Sequence, residues 1–223
     1  MSKVVIFGAG GGADVAYRYI AKDSPHEVVA FTVDGKFRDR DTYHGLPVVE
    51  FETVQDRYPV KDFKMFIVMG FDNMSRLRIQ KYEEAKAKGY SFISYVASDI
   101  FRLEEIQVGQ NCFILEKQTI NLDVKIGNNV VMWSANHIGD RTIIEDNVWI
   151  SSHVAIGGDV TVGNGCFIGM NATIAHGVKI GPKNFIGAGT LVAKSTKEGS
   201  VYAQERNKAL GIDSDMFVKI SDT

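Results

Sequence analysis

Three of the chain's five histidines, His137, His153 and His176, fall inside one regular stretch. Asp140 follows the first of them closely, in Asn136-His137-Ile138-Gly139-Asp140. Histidine titrates near neutrality and is the side chain best suited to take a proton at pH 7. Asp140 could itself act as a base, or could orient a histidine. A second concentration lies near the N-terminus, where Gly8-Ala9-Gly10-Gly11-Gly12 follows an apolar run and Asp34 ends the next one. Glycines let backbone N–H groups approach phosphate at a helix N-terminus, and an acid can hold a ribose hydroxyl, so this pattern suits a nucleotide diphosphate. Ala13 stands where the last glycine of the full dinucleotide fingerprint would fall, which favours a mononucleotide diphosphate, with a merely structural turn as the alternative. Gly70 opens a further loop, after which Arg76 and Arg78 could reach phosphates, or at least one of them could be a solvated helix residue.

The elements that position these residues differ between the two halves. From Val108 to Val192 an aliphatic side chain returns every six residues without an insertion, Met132 included. Helices repeat at about 3.6 residues and strands at 2, so neither explains the beat. A three-sided parallel β-helix does: three short strands make an 18-residue coil, with the aliphatic inside and a small or β-branched residue four places on filling the same core. Glycine, frequent just after the aliphatic, is expected to permit the corner backbone. Such hexapeptide coils wind left-handed, against the usual crossover preference. Residues 18 apart then stack. Cys112 and Cys166 fall three coils apart, roughly 14 Å at strand spacing, beyond disulfide reach. Phe113, Val131, Trp149, Phe167 and Phe185 form an outward apolar ladder, expected as a contact surface between subunits and hence a trimer, with packing against the chain's own N-terminal part or C-terminal tail as the alternative.

In the N-terminal half, residues 3–9, 27–34, 64–70 and 91–96 read as buried strands. Residues 13–22 and 73–88 read as helices, the second capped by Asn73 and stopped by Gly89. Alternating strands and helices imply a small Rossmann-like parallel α/β unit. The expected division is 1–100 for this unit, 101–196 for the left-handed β-helix and 197–223 for a C-terminal cap that blocks open strand edges. A net charge of −2 offers no basic field for nucleic acid. No apolar run is long enough to span a bilayer, and two cysteines are too few for a disulfide scaffold. A cytoplasmic protein without membrane insertion is the expectation. A zinc site is not favoured, because His137, His153 and His176 occupy different corner or face registers.

A GAGG-type turn in a Rossmann-like unit, followed by a hexapeptide β-helix, resembles the bacterial nucleotide-sugar acyltransferases. These include the sialic acid O-acetyltransferase type and the N-acetyltransferases of bacillosamine- and perosamine-type sugars. The resemblance runs from the first strand to about Lys194. It implies acetyl-CoA-dependent N-acetylation of a nucleotide-linked amino (dideoxy) sugar for a bacterial surface polysaccharide, by a homotrimer with acetyl-CoA as co-substrate and no metal. The nucleotide sugar would lie at Gly8, Gly10, Gly11, Gly12, Asp34, Gly70 and Arg76. Acetyl-CoA would lie along the coil between subunits, near His153, Gly157, Gly169, Lys183 and Lys194. His137 matches the position of the family's base. Many relatives carry a second histidine, or a His-Glu pair, where this chain has Asp140, so His137, Asp140 or neither could take the amine's proton. Corner glycines such as Gly139 or Gly157 could donate N–H groups to the oxyanion. A sugar O-acetyltransferase and a non-catalytic nucleotide-sugar-binding trimer are the alternatives, and the Asp140 departure favours the latter.

Overall fold

The computed structural model describes residues 1–100 and 106–205, together with 209, 211, 213, 214 and 216. Residues 101–105, where the β-helix was expected to start, and most of the tail beyond 205 lie outside the described residues.

The N-terminal unit opens with β1 (Lys3–Phe7), α1 (Gly11–Asp23) and β2 (Glu27–Val33), the two strands parallel. A hairpin of β3 (Thr42–Tyr43) and β4 (Leu46–Glu50) follows, with β4 parallel to β2. The single turn α2 (Val54–Arg57) leads to β5 (Phe63–Ile67), which pairs with the other side of β1. The sheet order is β3-β4-β2-β1-β5. Val4 to Phe7 are all buried because both faces of the sheet are covered, so β1 reads as a continuous apolar run. The chain moves outward from β1 through β2 to β4, then crosses back to β5. That reversal makes the carboxyl ends of β1 and β5 a topological switch point, where α/β sheets form ligand crevices.

Two expectations here need correction. The helix α3 (Arg76–Ala87) starts three residues later than Asn73. Asn73, Met74 and Ser75 have φ of 51°, 55° and 58°, a left-handed turn that cannot continue into a right-handed helix. Ser75 takes the cap position instead and makes no side-chain cap bond. Gly89, at φ +91°, does end the helix as expected. The segment 91–96 was expected to complete the sheet. Only residues 91–93 bond to it, through a parallel bridge of Phe92 to Met65 in which the Met65 N–H donates to the Ser91 carbonyl and the Ile93 N–H to the Met65 carbonyl. Meanwhile β6 (Tyr95–Val96) pairs with Phe113–Ile114 as the first rung of the β-helix.

The six-residue beat is borne out. Each aliphatic ends a two-residue strand, and partners sit 18 residues apart, as in His137↔Ala155 and Ile138↔Ile156. Three parallel sheets form the faces of a prism. The left-handed backbone, however, falls three places after the aliphatic, at Asn111, Lys117, Asp123, Asn129 and onward to Gly189. The glycines directly after the aliphatic serve close approach instead. A Cβ on Gly139 would lie 2.4 Å from the Gly158 N, and one on Gly163 would lie 2.7 Å from the Pro182 N. Cys112 and Cys166 are free and buried in the core.

The aromatic ladder is not an open contact surface. Phe113, Val131, Trp149 and Phe167 are buried and Phe185 is half-buried, because the N-terminal unit packs on this face. Phe66 meets Phe113 edge-on at 5.7 Å, and Phe71 lies 4.6 Å from Phe167. The apolar stripe was legible; its partner is the same chain.

Arg78, expected as a possible phosphate ligand, also belongs to this seam. It is 1% exposed and donates to the Asn129 carbonyl, to Asn129 Oδ1 at 2.9 Å and to the Asn147 carbonyl at 3.1 Å. Asn111 in the same corner column binds both backbone groups of Ile67 in β5, at 2.7 and 3.1 Å. At the far end the chain leaves the beat after Val192 yet winds once more. Val201–Tyr202 pair with Phe185–Ile186 at a spacing of 16 rather than 18.

Candidate functional site

The switch-point crevice is built by the glycine turn. Gly8, at φ +121°, lets the chain leave β1 and enter α1 within three residues. Gly10 holds the cap position without a side-chain bond, so the first N–H groups of α1 stay open. A Cβ on Gly10 or Gly11 would meet nothing within 4 Å, so this backbone faces free space. Asp14, in the first helical turn, would oppose an anion there. It is held by Arg18 at 3.0 Å and His44 at 2.7 Å, and the Arg18 bond chiefly keeps its carboxyl below the ordinary range.

The cavity at this turn has a volume of about 290 Å³. Gly8, Gly10, Gly11 and Gly12 line it, as do Asp34 at the end of β2 and Gly70 after β5. The structure thus brings six of the seven residues expected for the nucleotide sugar to one crevice. Arg76 is exposed on the first turn of α3 and does not line this cavity. Asp34 is also bound to Lys81 at 2.6 Å. Burial works to lower the Lys81 pKa, but its bonds to Asp34 and Glu84 outweigh that and raise it. Phe37 and Leu77 line the same cavity and were not foreseen.

A second cavity of about 320 Å³ shares Gly11, Gly12 and Gly70 with the first and reaches the β-helix. Its far wall is apolar: Phe71, Val131, Trp133 and Trp149. Trp133 stands directly after Met132, where glycine often follows the aliphatic, and that break in pattern was its only sequence signal. A wider depression of about 500 Å³ lies on the face carrying Lys125 and Ile143, but it is open and lacks a glycine turn or histidine.

From Trp133 the chain turns one corner to His137. Asn136, buried beneath that corner, accepts from the Val154 N at 2.7 Å and donates to the Trp133 carbonyl at 2.5 Å. His137 is exposed on the next face, between Thr119 and Ala155. Its ring makes no hydrogen bond among the described residues. Asp140 accepts from the Leu122 N at 3.1 Å. Asn128 and Asp146 make the same bond one coil down, to Gln110 and Asn128 at 2.9 and 2.7 Å. Asp140 thus joins a stitching pattern of the corners.

The corner glycines do not offer free donors. The N–H groups of Gly139, Gly157 and Gly169 bond to Ile156, Ile174 and Ile186 carbonyls at 2.9, 2.9 and 2.7 Å. The expectation that Gly139 or Gly157 could serve an oxyanion is corrected by the rung hydrogen bonds. The Asp140 N–H, by contrast, has no partner among the described residues, because position 158, directly above it, is glycine. His153 is exposed at a left-handed corner, diagonal to His137. His176 sits 3.6 Å from Asp159, which Arg141 binds at 2.7 Å. Lys183 pairs with Glu198 at 2.9 Å, and Lys194 is exposed. The residues expected for acetyl-CoA are therefore spread along the coil rather than gathered in one pocket.

Fold and crevice together define a class: a Rossmann-like unit seated on one face of a three-sided hexapeptide β-helix. Residues 141–175 and 159–194 match the bacterial transferase hexapeptide (six repeats) family. No curated protein matches the chain in sequence. Among solved structures, the chain is similar to an asparagine-for-histidine variant of perosamine N-acetyltransferase from Caulobacter crescentus, in complex with CoA and GDP-perosamine. The two share 21% identity with a TM-score of 0.78, over 90% of this chain and 93% of that one. The acetyltransferase domain of PglB from Neisseria gonorrhoeae FA1090 is similar at 19% identity and a TM-score of 0.76, over 90% and 96%. WeeI from Acinetobacter baumannii AYE follows at 17% and 0.74, over 90% and 96%. At these identities the likeness establishes the fold, across nearly the full length of each partner.

Proposed function

We propose that this chain is an acetyl-CoA-dependent N-acetyltransferase that acts on a nucleotide-linked amino sugar, for a bacterial surface glycan. The observation that carries this reading is the continuous path from the open glycine turn, through the apolar second cavity, to the corner before His137. A nucleoside diphosphate takes the first cavity, with its phosphates at the N-terminus of α1. The sugar takes the second, between the glycine turn and Trp133 and Trp149, and presents its amine toward the coil. Two structures of the same fold carry CoA and GDP-perosamine, which supports both substrates.

The neutral amine attacks the thioester carbonyl, the C–S bond breaks, and CoA leaves as a thiolate that takes up the amine's proton from the base to become the free thiol. His137 accepts the proton that the amine loses, since its ring is unengaged while Asp140 is already bound to the Leu122 N–H. The Asp140 N–H is the candidate donor to the oxyanion. Acetyl-CoA runs along the coil past His153, Gly157 and Gly169 toward Lys183 and Lys194. A homotrimer supplies the second wall of that cleft, and the cytoplasm supplies the co-substrate. We further propose division near residue 100 into a sugar-nucleotide unit and a catalytic coil, with the segment after 196 as its cap.

The test is thiol release from acetyl-CoA with a panel of nucleotide-linked 3- and 4-amino sugars, for wild type, His137→Ala and Asp140→Asn. Turnover in wild type and its loss in His137→Ala alone supports the assignment. Loss only in Asp140→Asn moves the base to Asp140. No thiol release from wild type with any member of the panel overturns the enzyme reading.

A further inference from the structure

Phe37 and Leu77 are among the large apolar side chains that the described residues leave most open to water, at 64% and 45% exposure. Single exposed apolar residues need no explanation. These two, however, line one cavity, the crevice of the glycine turn. They reach it from different sides of β1. Phe37 ends the short 3-10 turn Gly35–Phe37 directly after β2, and Leu77 lies in the first turn of α3, after β5. Asp34 lines the cavity beside Phe37. The crevice thus gathers the open helix terminus, the acid at the end of β2 and two exposed apolar side chains that enter it from strands on opposite sides of β1.

That set of groups matches the parts of a nucleoside diphosphate: phosphates, ribose, flat base. A base offers two apolar faces, and an exposed phenyl ring in one cavity with a branched aliphatic is a surface on which such a ring gains by stacking. Lys36 holds its ammonium 4.9 Å from the Phe37 centroid, so one face of the phenyl ring is already used and the other is open to a base. The 3-10 turn is fixed from behind, because the Gly35 N–H donates to the Glu52 carboxylate at 3.0 Å. That bond holds Phe37 at the rim without using any atom of its ring.

We infer that Phe37 and Leu77 form a clamp that stacks the nucleobase of the bound nucleotide, with Phe37 as its principal face. The inference rests on the nucleotide-sugar reading above and adds to it the residues that hold the base. Stacking accepts any base, so the clamp supplies affinity for the nucleoside rather than choice among bases.

The experiment is calorimetric titration of wild type, Phe37→Ala and Leu77→Ala with UDP, GDP and dTDP, and with inorganic pyrophosphate. Phe37→Trp, read as the difference in indole fluorescence from wild type, whose Trp133 and Trp149 also emit, adds an optical readout independent of turnover. Neither side chain is buried in the core, so the variants retain the wild-type melting temperature. Loss of base stacking is expected to weaken nucleoside diphosphate binding about tenfold or more in Phe37→Ala. Pyrophosphate binding stays unchanged, and Phe37→Trp is quenched on saturation with nucleotide. Equal nucleotide affinity in Phe37→Ala and wild type overturns the clamp while leaving the nucleotide site in place. A wild type that binds no nucleoside diphosphate overturns the clamp together with the reading beneath it.

Discussion

Replacing Arg78 by methionine removes the fastening between α3 and the β-helix while keeping a long apolar stem in its place. The guanidinium donates to two main-chain carbonyls, of Asn129 and Asn147. Asn129 Oδ1 keeps a partner in the variant, because Asn111 also donates to it at 2.9 Å. Each buried carbonyl left without a donor costs about 1–3 kcal/mol. Against this stands relief from burying a cation with no carboxylate beside it, a burial that pushes the Arg78 pKa down to about 10. The carbonyls lose more than the relief returns, giving a net loss of about 2–4 kcal/mol, or a melting temperature lower by roughly 5–15 °C. Arg78→Lys should fall between, since one ammonium cannot reach both corners. Trp149, whose ring lies 5.9 Å from the guanidinium, reports the transition by fluorescence at fixed protein concentration. A methionine variant that melts at or above the wild-type temperature would show that charge burial dominates, and the fastening role would be withdrawn.

Three further outcomes are expected. Gly158→Asp places a carboxylate above the Asp140 N–H, in the register by which Asp140 itself caps Leu122. If that N–H serves the oxyanion, kcat in the thiol-release assay falls by about two orders of magnitude; an unaffected kcat removes the N–H from the mechanism. Gly139→Ala should cost about 1–3 kcal/mol through its 2.4 Å approach to the Gly158 N. Ala135→Gly, at a corner with φ 65°, should gain about 1 kcal/mol; urea melts that rank the pair the other way would contradict the roles given to the two positions. Burial pushes the Cys112 and Cys166 thiols up to about 11, from an ordinary 9. Since the folded state holds these protons more tightly, their contribution is intact below pH 9 and is lost as pH rises through about 11. Thiol titration with a disulfide reagent at pH 8 should accordingly be slow in the native protein and complete in urea; fast labelling without denaturant would refute their burial.

The β-helix was legible because its beat is one-dimensional: a buried aliphatic every sixth residue reports its register without knowledge of distant partners. The glycine turn and Asp34 were legible for the same reason, being local punctuation at strand ends. What the sequence hid was contact between the halves. Phe113, Val131, Trp149 and Phe167 declared an apolar stripe but not its partner, and Phe66 and Phe71 carry no mark that they cover it. Arg78 looked like a surface cation because only three dimensions bring Asn129 and Asn147 to it. Phe37 escaped notice because a lone aromatic after a strand has no periodicity. Asn73 misled because its left-handed preference, read as a cap, belongs to a left-handed turn of three residues.

The rung at Tyr95–Val96 gives the chain no severable joint. The bridge from Met65 to Phe92 lies in the N-terminal sheet, and three residues later the same strand segment hydrogen-bonds the coil through the Cys112 and Ile114 carbonyls. A cut at residue 100 would therefore strip the prism of its first rung and leave the edge at Phe113–Ile114 unpaired, a surface prone to pairing with other chains. A graft of this N-terminal unit onto another coil must carry Tyr95 and Val96 with it. Exchange between relatives would conserve that rung as part of the inserted piece, with the crossover falling inside the prism itself.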